Sequence, residues 1–327
     1  MTMQSSAPWT ASQHLVNHRE THDFDEQAEL LRGWNQDYQQ MSSGNFNGYV
    51  SEIKFDDVHL FLEYTSQALF QHGQLTEDRV AVGVPLTAKN RGVFCGTVSA
   101  DNSMHVFSGR DGFEFFSPTG LVMAGISVNR NDLLNMLTTQ EQAAVQTNCE
   151  HAHVFALETA GLSAIRHFMS GVFQTVQATP SMLQNSQITA SLRASLLSLL
   201  ADNLAHTADE LLIPPSSARC WKIVAESRDY VLGLSENPIS VAELCQHFGV
   251  SRRTLQYCFH NMLATSPAAY LRAERLNAVR HMLKTANSVT EAAAHWGFWH
   301  FGHFSQEYKK MFGELPSTTF KRLHSLN

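Results

Sequence analysis

The stretch "ISVAELCQHFGVSRRTLQYCFHNML", residues 239–263, decides the fold of the C-terminal part of this chain. It predicts two short helices joined by a tight turn at Gly249, because glycine readily adopts the positive φ that such a turn requires. Ser240 and Ser251 stand immediately before the two helices, where a serine oxygen can accept a hydrogen bond from a free N–H of the first turn. The stretch is therefore expected to form a helix-turn-helix unit.

The second of these helices has two contrasting faces. Its apolar face carries Leu255, Cys258, Phe259 and Met262. The opposite face carries Arg253, Gln256, Tyr257 and His260. Arginine and glutamine have the forked geometries that match guanine and adenine edges in the major groove of DNA. The outer face therefore predicts a DNA-reading helix, and an ordinary helical hairpin with a solvated face is the alternative.

A second stretch, "SVTEAAAHWGFWHFGHFSQEYKKMF" at residues 288–312, repeats this layout. Ser288 is placed as the cap and Gly297 as the turn, 48 residues after Gly249. The outward face of its second helix is expected to hold Gly302, His303, Gln306 and Lys310. Between the units, Pro267 begins a linking helix whose basic side chains are Arg272, Arg275, Arg280 and Lys284. Two units joined in this way could reach successive major grooves, about 34 Å apart.

The charge of the chain is divided unevenly. The sequence of 327 residues carries a formal net charge of -7, yet residues 217–327 hold 13 Lys and Arg against 8 Asp and Glu. Residues 1–216 hold 10 Lys and Arg against 22 Asp and Glu. This asymmetry indicates that the C-terminal third meets a polyanion, and an uneven scatter of solvated charges is the alternative.

The N-terminal half predicts an antiparallel β-barrel, cupin-like, with flanking helices. Six short β-rich runs within residues 46–128 are separated by turn-like dipeptides. Before them, residues 23–41 are expected to form one amphipathic helix with Asp25 as N-cap and a stripe of Ala28, Leu31, Trp34 and Tyr38. From Asp132 onward the pattern is helical, including "CEHAH" at residues 149–153. The fold class is thus α+β, with an all-α C-terminal domain that contains two helix-turn-helix units.

A leucine-rich helix precedes the C-terminal domain. The side chains that could mediate dimerisation are Ile188, Leu192, Leu196, Leu199 and Leu200. Such a stripe either packs on the barrel or faces a second copy of the chain, and one helix can do both. Pro214 and Pro215 then break the helix and indicate a linker.

The stretch 222–322 resembles the DNA-binding domain of the AraC/XylS family of bacterial transcription regulators. The resemblance rests on "VAELCQHFGVSRRTLQYCF", "SPAAYLRAERLNAVRHML", "VTEAAAHWGF" and "YKKMFGELPSTTFKR". Two other stretches, "GWNQDYQQMSSGNFNGYVSEIKFDDVHLFLEYTSQAL" and "WGFWHFGHF", are similar to the ethanolamine-operon regulators within that family. The resemblance implies a homodimeric regulator, an activator or a repressor, that binds double-stranded promoter DNA at the nucleoid and works with RNA polymerase.

The predicted domains follow from these patterns and from the resemblance. They are a flexible leader at 1–25, a β-barrel sensing and assembly domain at 26–178, a helical dimerisation segment at 179–212, a linker at 213–220 and the DNA-binding domain at 221–327.

The expected DNA contacts fall into two sets. Base contacts are expected from Arg252, Arg253, Gln256, Tyr257, His260, Gly302, His303 and Gln306. Phosphate contacts are expected from Ser251, Arg272, Arg275, His300, Lys309, Lys310, Lys321 and Arg322. The family usually has Asp or Ser, then Tyr, then Arg, where His300, His303 and Gln306 stand here. The second unit is therefore expected to read weakly, to read different bases, or to contact mainly the DNA backbone.

The N-terminal domain has two possible roles. It could bind a small effector in an apolar pocket and thereby shift the DNA-binding state. Alternatively, it serves only dimerisation or the binding of a protein partner. The candidate lining residues are Trp34, Tyr38, Phe61, Tyr64, Phe94, Phe113 and Phe115.

A cupin-type metal enzyme is the least favoured reading. Its metal site would need several His and carboxylate ligands on neighbouring strands. The only closely spaced group is Cys149, His151 and His153, and a helix would point His151 away from the other two. The motifs GxSxG, GxxxxGK[ST] and GxGxxG are missing from the sequence. The chain is therefore expected to be no enzyme and to use no metal or other cofactor.

The remaining features predict a cytoplasmic protein. Five scattered cysteines without a CxxC pair suggest free thiols in a reducing compartment. No apolar run approaches the roughly 20 residues that span a bilayer, and the first residues lack the order of a secretory signal.

Overall fold

The computed structural model describes residues 15–31, 33–100, 102–205, 215–234 and 239–325. In these ranges the strands are, in chain order, β1 (Leu15–Thr21), β2 (Gln36–Gln40), β3 (Gly48–Phe55), β4 (Val58–Thr65), β5 (Leu69–Gly73), β6 (Arg79–Thr87), β7 (Gly92–Phe94), β8 (Thr97–Ser99), β9 (Ser103–Phe107), β10 (Phe113–Ser117), β11 (Leu121–Asn129) and β12 (His153–Ala156). They form a seven-stranded sheet in the order β1-β3-β4-β11-β6-β9-β12 and a five-stranded sheet in the order β2-β5-β10-β7-β8. The pairings are antiparallel, as the alternating sequence pattern predicts.

Aromatic side chains of both sheets form one core cluster. The indole of Trp34 contacts Phe61, Phe107 and Phe113 edge to face, with ring centroids 5.3, 4.8 and 6.0 Å apart. Phe94 and Phe115 belong to the same buried cluster. The predicted α+β class with a barrel-like N-terminal domain is confirmed, although the described strands form two sheets and no closed barrel.

The helices are α1 (Phe24–Leu30), α2 (Arg130–Leu134), α3 (Thr139–Asn148), α4 (Thr159–Ala178), α5 (Ser186–Ala205), α6 (Pro215–Leu232), α7 (Val241–His247), α8 (Arg252–Leu263), α9 (Pro267–Met282), α10 (Val289–His295), α11 (Phe301–Phe312) and α12 (Pro316–Ser325). A short 3-10 helix at Pro180–Gln184 connects α4 to α5. Within the described ranges, none of these helices is long and apolar enough to cross a bilayer.

Helix α5 packs on the seven-stranded sheet. Its buried side chains Leu196, Leu200 and Leu204 share one core cluster with Val82 of β6 and Ile165 of α4. The other members of the predicted dimerisation stripe, Ile188, Leu192 and Leu199, are half-buried, and the two leucines pack against that cluster. The packing alternative is thus observed within one chain, and a role of the half-buried edge in dimerisation stays a prediction.

The predicted helix at residues 23–41 was wrong beyond Leu30. Helix α1 ends there, and its N-cap is Asp23, whose carboxylate accepts from the backbone N–H of Asp25 at 2.9 Å. Positive φ angles at Gly33 and Asn35 turn the chain, and residues 36–40 then pair with β5 as an edge strand. Here the pairing with β5 outweighs the helical spacing of the apolar residues. Tertiary contacts regularly override such local helical preferences.

Two boundaries near the N-terminal domain also differ from the sequence interpretation. Residues 15–21 of the predicted flexible leader form β1, which pairs with β3 along its whole length, and residues 1–14 lie outside the described part. The "CEHAH" segment is not helical, because α3 ends at Asn148 and β12 begins at His153 and pairs with β9. The expectation of a continuous helical region from residue 132 was therefore wrong at this point.

Helix α6 joins the C-terminal helices to the N-terminal domain. It begins at Pro215, so residues 215–220 of the predicted linker are helical, and residues 206–214 lie outside the described part. Cys220 of α6 and Cys258 of α8 form a disulfide, so the expectation of free thiols was wrong for this pair. The other cysteines, Cys95, Cys149 and Cys245, are free.

Candidate nucleic-acid interface

The first helix-turn-helix unit consists of α7 and α8, with its caps and turn where the sequence predicts them. The hydroxyl of Ser240 and the carboxylate of Glu243 form a reciprocal capping box at the start of α7. Gly249 has a φ of 61°, which lets the chain turn between the helices. Ser251 caps α8 by accepting from the N–H of Thr254 at 3.1 Å.

Helix α8 separates its two faces as expected. Its buried side chains are Leu255, Cys258, Phe259 and Met262. Its exposed side chains are Arg252, Arg253, Gln256, Tyr257 and His260. The predicted base-contact residues of the first unit therefore share one solvent-facing surface, which is the requirement for entering a major groove.

The second unit, α10 and α11, has the same turn with one additional residue. Gly297 has a φ of 75°, and the N–H of Phe298 donates to the carbonyl of Ala293 at 2.9 Å, as that of Val250 does to Cys245 at 3.0 Å. The glycines are 48 residues apart, whereas the recognition helices begin at Arg252 and Phe301, 49 residues apart.

This offset changes which residues of the two units correspond. Aligned by their first helical residues, Gly302 corresponds to Arg253, Ser305 to Gln256 and Gln306 to Tyr257. The exposed residues of α11 are Phe301, Gly302, His303, Gln306, Lys309 and Lys310. His300 is the exposed N-cap residue of α11, without a side-chain capping hydrogen bond. The predicted surface is therefore present, but it carries few forked side chains.

Two predicted phosphate-contact residues lie on the linking helix α9, and they differ in exposure. Arg272 is exposed and forms an ion pair with Glu307 of α11. Arg275 is half-buried, and its guanidinium lies 5.2 Å from the ring centre of Phe298. Burial, together with the nearby charge of Arg272, lowers the pKa of Arg275. Its position favours packing over a phosphate contact.

The other predicted phosphate-contact residues lie at the end of the chain. Lys309, Lys310 and Lys321 are exposed, whereas Arg322 contacts Asp23 at 2.6 Å and Glu314 at 2.9 Å. The free lysines leave positive charge on this surface, and the carboxylates neutralise Arg322.

Replacing Ser266 with alanine is expected to destabilise the C-terminal domain by about 1 kcal/mol. Ser266 caps α9 by accepting from the N–H of Ala269 at 3.2 Å, and alanine removes that acceptor. Urea denaturation of the full chain measures the effect. Ser266→Asp should retain the stability, and Ser195→Ala, at an exposed position inside α5, should not lower it. Equal losses in Ser266→Ala and Ser266→Asp would contradict the cap.

The effector-lining candidates are brought together only in part. Trp34, Phe61, Phe94, Phe113 and Phe115 pack against one another in the core between the sheets. The hydroxyl of Tyr38 donates to Glu63 at 2.9 Å, and Tyr64 stacks on Tyr49. Burial raises the pKa of Glu63 to about 7.

Two clefts lie outside that aromatic core, between the N-terminal domain and the C-terminal helices. One has a volume of about 430 Å³ between β2 and α9, and the other about 480 Å³ between β10 and α9. The sequence reasoning missed them, because their walls come from segments that are distant in the chain.

The sequence reasoning also missed a polar contact between the domains. Arg280 of α9 contacts Asp23, Asp25 and Glu314 at 2.6, 3.4 and 3.2 Å. The amide of Asn277 donates to the carbonyl of Gln40 at 2.7 Å and accepts from its N–H at 3.1 Å. The conspicuous arginines of α9 were the only signal, and their partners could not be chosen from the sequence.

The Cys149, His151 and His153 group does not converge. Cys149 is buried, His151 is exposed and pairs with Asp111, and the ring of His153 contacts the carbonyl of His151 at 2.8 Å. In the part of the chain that the structure describes, no three His, Cys, Asp or Glu residues are grouped to hold a metal ion.

Comparison with known proteins identifies the domain that carries this interface. A family described as "Helix-turn-helix domain" matches residues 244–322. The chain is 40% identical over 99 residues to a probable thc operon regulatory protein of Rhodococcus erythropolis, covering 29% of this chain and 30% of that protein. It is 33% identical over 158 residues to the XylDLEGF operon transcriptional activator 1 of Pseudomonas putida, covering 46% of this chain and 45% of that protein. The C-terminal stretch matches a helix-turn-helix domain and is similar to regulators of the AraC/XylS type.

Comparison with solved structures also gives a match. The AraC-like transcriptional activator CuxR matches with a TM-score of 0.44 and 11% identity, over 80% of this chain and 94% of that one. The chain spans less than half the length of the two curated relatives described above. The predicted resemblance to the AraC/XylS family is confirmed by the helix-turn-helix match and the operon-regulator relatives.

Proposed function

We propose that the chain is a sequence-specific transcription regulator whose AraC/XylS-type domain reads two successive major grooves. The observation that carries this function is the pair of capped helix-turn-helix units on one linking helix, each with an exposed outer face. The names of the relatives, operon regulators and activators, support a role at promoters. Partnership with RNA polymerase and a cytoplasmic, nucleoid-associated location are parts of the same proposal.

The direct test is selection of DNA by the purified full chain from fragments of bacterial genomic DNA at about 150 mM salt. Enrichment of a few sites, each built from paired half-sites, is the expected result for a dimeric regulator. Retention that ignores sequence and disappears as salt rises would show only a basic surface and would contradict specific regulation.

Lys309→Ala is expected to weaken binding to all DNA sequences alike. An exposed lysine that neutralises one phosphate releases about one counterion, so its loss should flatten the plot of log affinity against log salt by about 0.9. Titration of a labelled duplex over a range of salt concentrations measures that slope. Lys89→Ala, at an exposed position of the N-terminal domain, is the matched control and should leave the slope unchanged.

Regulation through the N-terminal domain is the less direct part of the proposal. The resemblance to the ethanolamine-operon regulators supports a small amine or a cobalamin-like effector. A ligand that binds only the folded protein must raise its thermal stability, so ethanolamine and cobalamin are the first compounds to test. If neither raises the melting temperature, dimerisation through the half-buried edge of α5 remains the alternative role, and sedimentation of an Ile188→Glu variant would test it.

A further inference from the structure

Trp299 and Phe301 are large apolar side chains left in solvent beside the second recognition helix. Their exposed fractions are 67% and 42%. Phe298, between Gly297 and Trp299, is buried in the core of the unit instead. The exposure is therefore confined to the two side chains at the start of α11, which is the end of a recognition helix that approaches base edges.

Trp299 occupies the position of the additional residue in the second turn. The turns of the two units match through Val250 and Phe298, whose N–H groups make equivalent hydrogen bonds to Cys245 and Ala293. In the first unit the cap residue Ser251 follows directly, whereas in the second unit Trp299 stands before the cap residue His300. The longer turn thus presents an indole where the first unit has no side chain.

At two positions that correspond to the first unit, this helix has no forked side chain, although His303 and Gln306 are exposed elsewhere on it. Gly302 and Ser305 stand where α8 has Arg253 and Gln256. The second way to read a base pair in the major groove is apolar contact with the C5-methyl group of thymine. Lys309 and Lys310, both exposed on α11, supply the positive charge that suits a neighbouring DNA backbone.

We propose that Trp299 and Phe301 form an apolar reader that contacts thymine methyl groups in the major groove, so that the second unit selects A·T pairs by apolar contact. This inference rests on the proposed function, since it assumes that α11 faces double-stranded DNA. It explains why an indole is kept in solvent and why α11 has no forked side chain at the positions that correspond to Arg253 and Gln256.

The experiment uses the full chain and a duplex that the chain selects from random-sequence DNA. Each thymine in the part of the duplex that the second unit contacts is replaced by uracil, which keeps the base pairing and removes only the methyl group. The wild-type protein should lose about fourfold in affinity for each contacted methyl group. Trp299→Ala should bind the thymine duplex more weakly and should lose its sensitivity to uracil at the thymines that Trp299 contacts. Leu315→Ala, at another exposed apolar position, is the control and should behave as wild type.

The outcomes separate this inference from the proposed function. If wild type ignores the uracil substitution, or if Trp299→Ala remains as sensitive as wild type, the apolar reader is refuted while specific DNA binding stands. If the protein selects no DNA sequence at all, the proposed function fails and the inference falls with it. Uracil in the part of the duplex that the first unit contacts should affect wild type and Trp299→Ala alike. A difference there would place Trp299 in the groove of the first unit and would contradict the inference.

Discussion

Replacing Arg280 with alanine is expected to destabilise the protein by about 3 kcal/mol, because it removes a buried cation that three carboxylates share and leaves only the more exposed Arg322 beside two of them. Only 5% of the Arg280 side chain is exposed, and its guanidinium contacts Asp23, Asp25 and Glu314. Two of these carboxylates belong to the N-terminal domain and one to the C-terminal domain. The substitution therefore removes a positive charge on α9 that pairs with carboxylates of both domains.

Packing adds to the loss of charge. The guanidinium of Arg280 lies 4.5 Å from the ring centre of Phe24 and 5.3 Å from that of Phe312. These rings also come from the two domains, and their centroids are 5.9 Å apart. Truncation to alanine would open space between them, so a large part of the expected effect is lost contact with the aromatic rings.

Urea denaturation of the full chain measures this prediction against Arg272→Ala. Arg272 lies on the same helix and pairs with Glu307, but its side chain is 50% exposed, so the variant should lose at most about 1 kcal/mol. Arg280→Lys should fall between the two, because lysine keeps the charge without the forked geometry. Equal losses in Arg280→Ala and Arg272→Ala would show that the contact between the domains contributes little.

The stability difference between wild type and Arg280→Ala is expected to shrink as the pH falls. Burial alone would raise the pKa of Asp23, but the charges of Arg280 and Arg322 hold it below its usual value of 3.8. The pKa of Glu314 is likewise held below 4.5, against burial, by a hydrogen bond from Thr319 and by the two arginines. Groups with a lowered pKa stabilise the fold above their unfolded pKa and lose this contribution as the pH falls through the folded pKa. The difference should therefore be full near pH 6 and decrease below about pH 4.

The helix-turn-helix units were predictable from the sequence because their signals are local. A cap such as Ser251 acts within three residues, and Gly249 acts within its own turn. The buried and exposed faces of α8 follow from helical spacing alone. Local rules of this kind do not depend on the rest of the chain, so the sequence carries them directly.

The contacts between the domains were not predictable for the opposite reason. Asn277 and Gln40 are 237 residues apart in the chain, and several polar side chains of α9 could have been chosen as the partner. The strand at residues 36–40 was missed because its partner β5 lies farther along the chain, whereas its apolar spacing matches a helix. The additional residue before α11 was also missed, because the two units were aligned by their turn glycines. This residue lies after the second glycine, between the turn and the helix.

Arg253→Ala is expected to reduce discrimination between DNA sites by about 1–3 kcal/mol at one base pair. Arg253 is exposed on the outer face of α8, one residue after the helix begins, where recognition helices contact base edges. Its guanidinium can donate two hydrogen bonds to the O6 and N7 atoms of one guanine. The measurement is the affinity for a selected duplex and for duplexes that each carry one changed base pair.

The pattern of the losses distinguishes a base contact from a phosphate contact. If Arg253 reads a guanine, Arg253→Ala should tolerate changes at one position and keep its preference at the others, and Arg253→Lys should recover only part of the discrimination because it lacks the fork. Arg19→Ala, at an exposed position of β1 in the N-terminal domain, is the matched control. It should leave the preferences unchanged, since this arginine lies outside both helix-turn-helix units. A uniform loss of affinity in Arg253→Ala would instead assign Arg253 to a phosphate and would leave Gln256 and Tyr257 as the readers of the first groove.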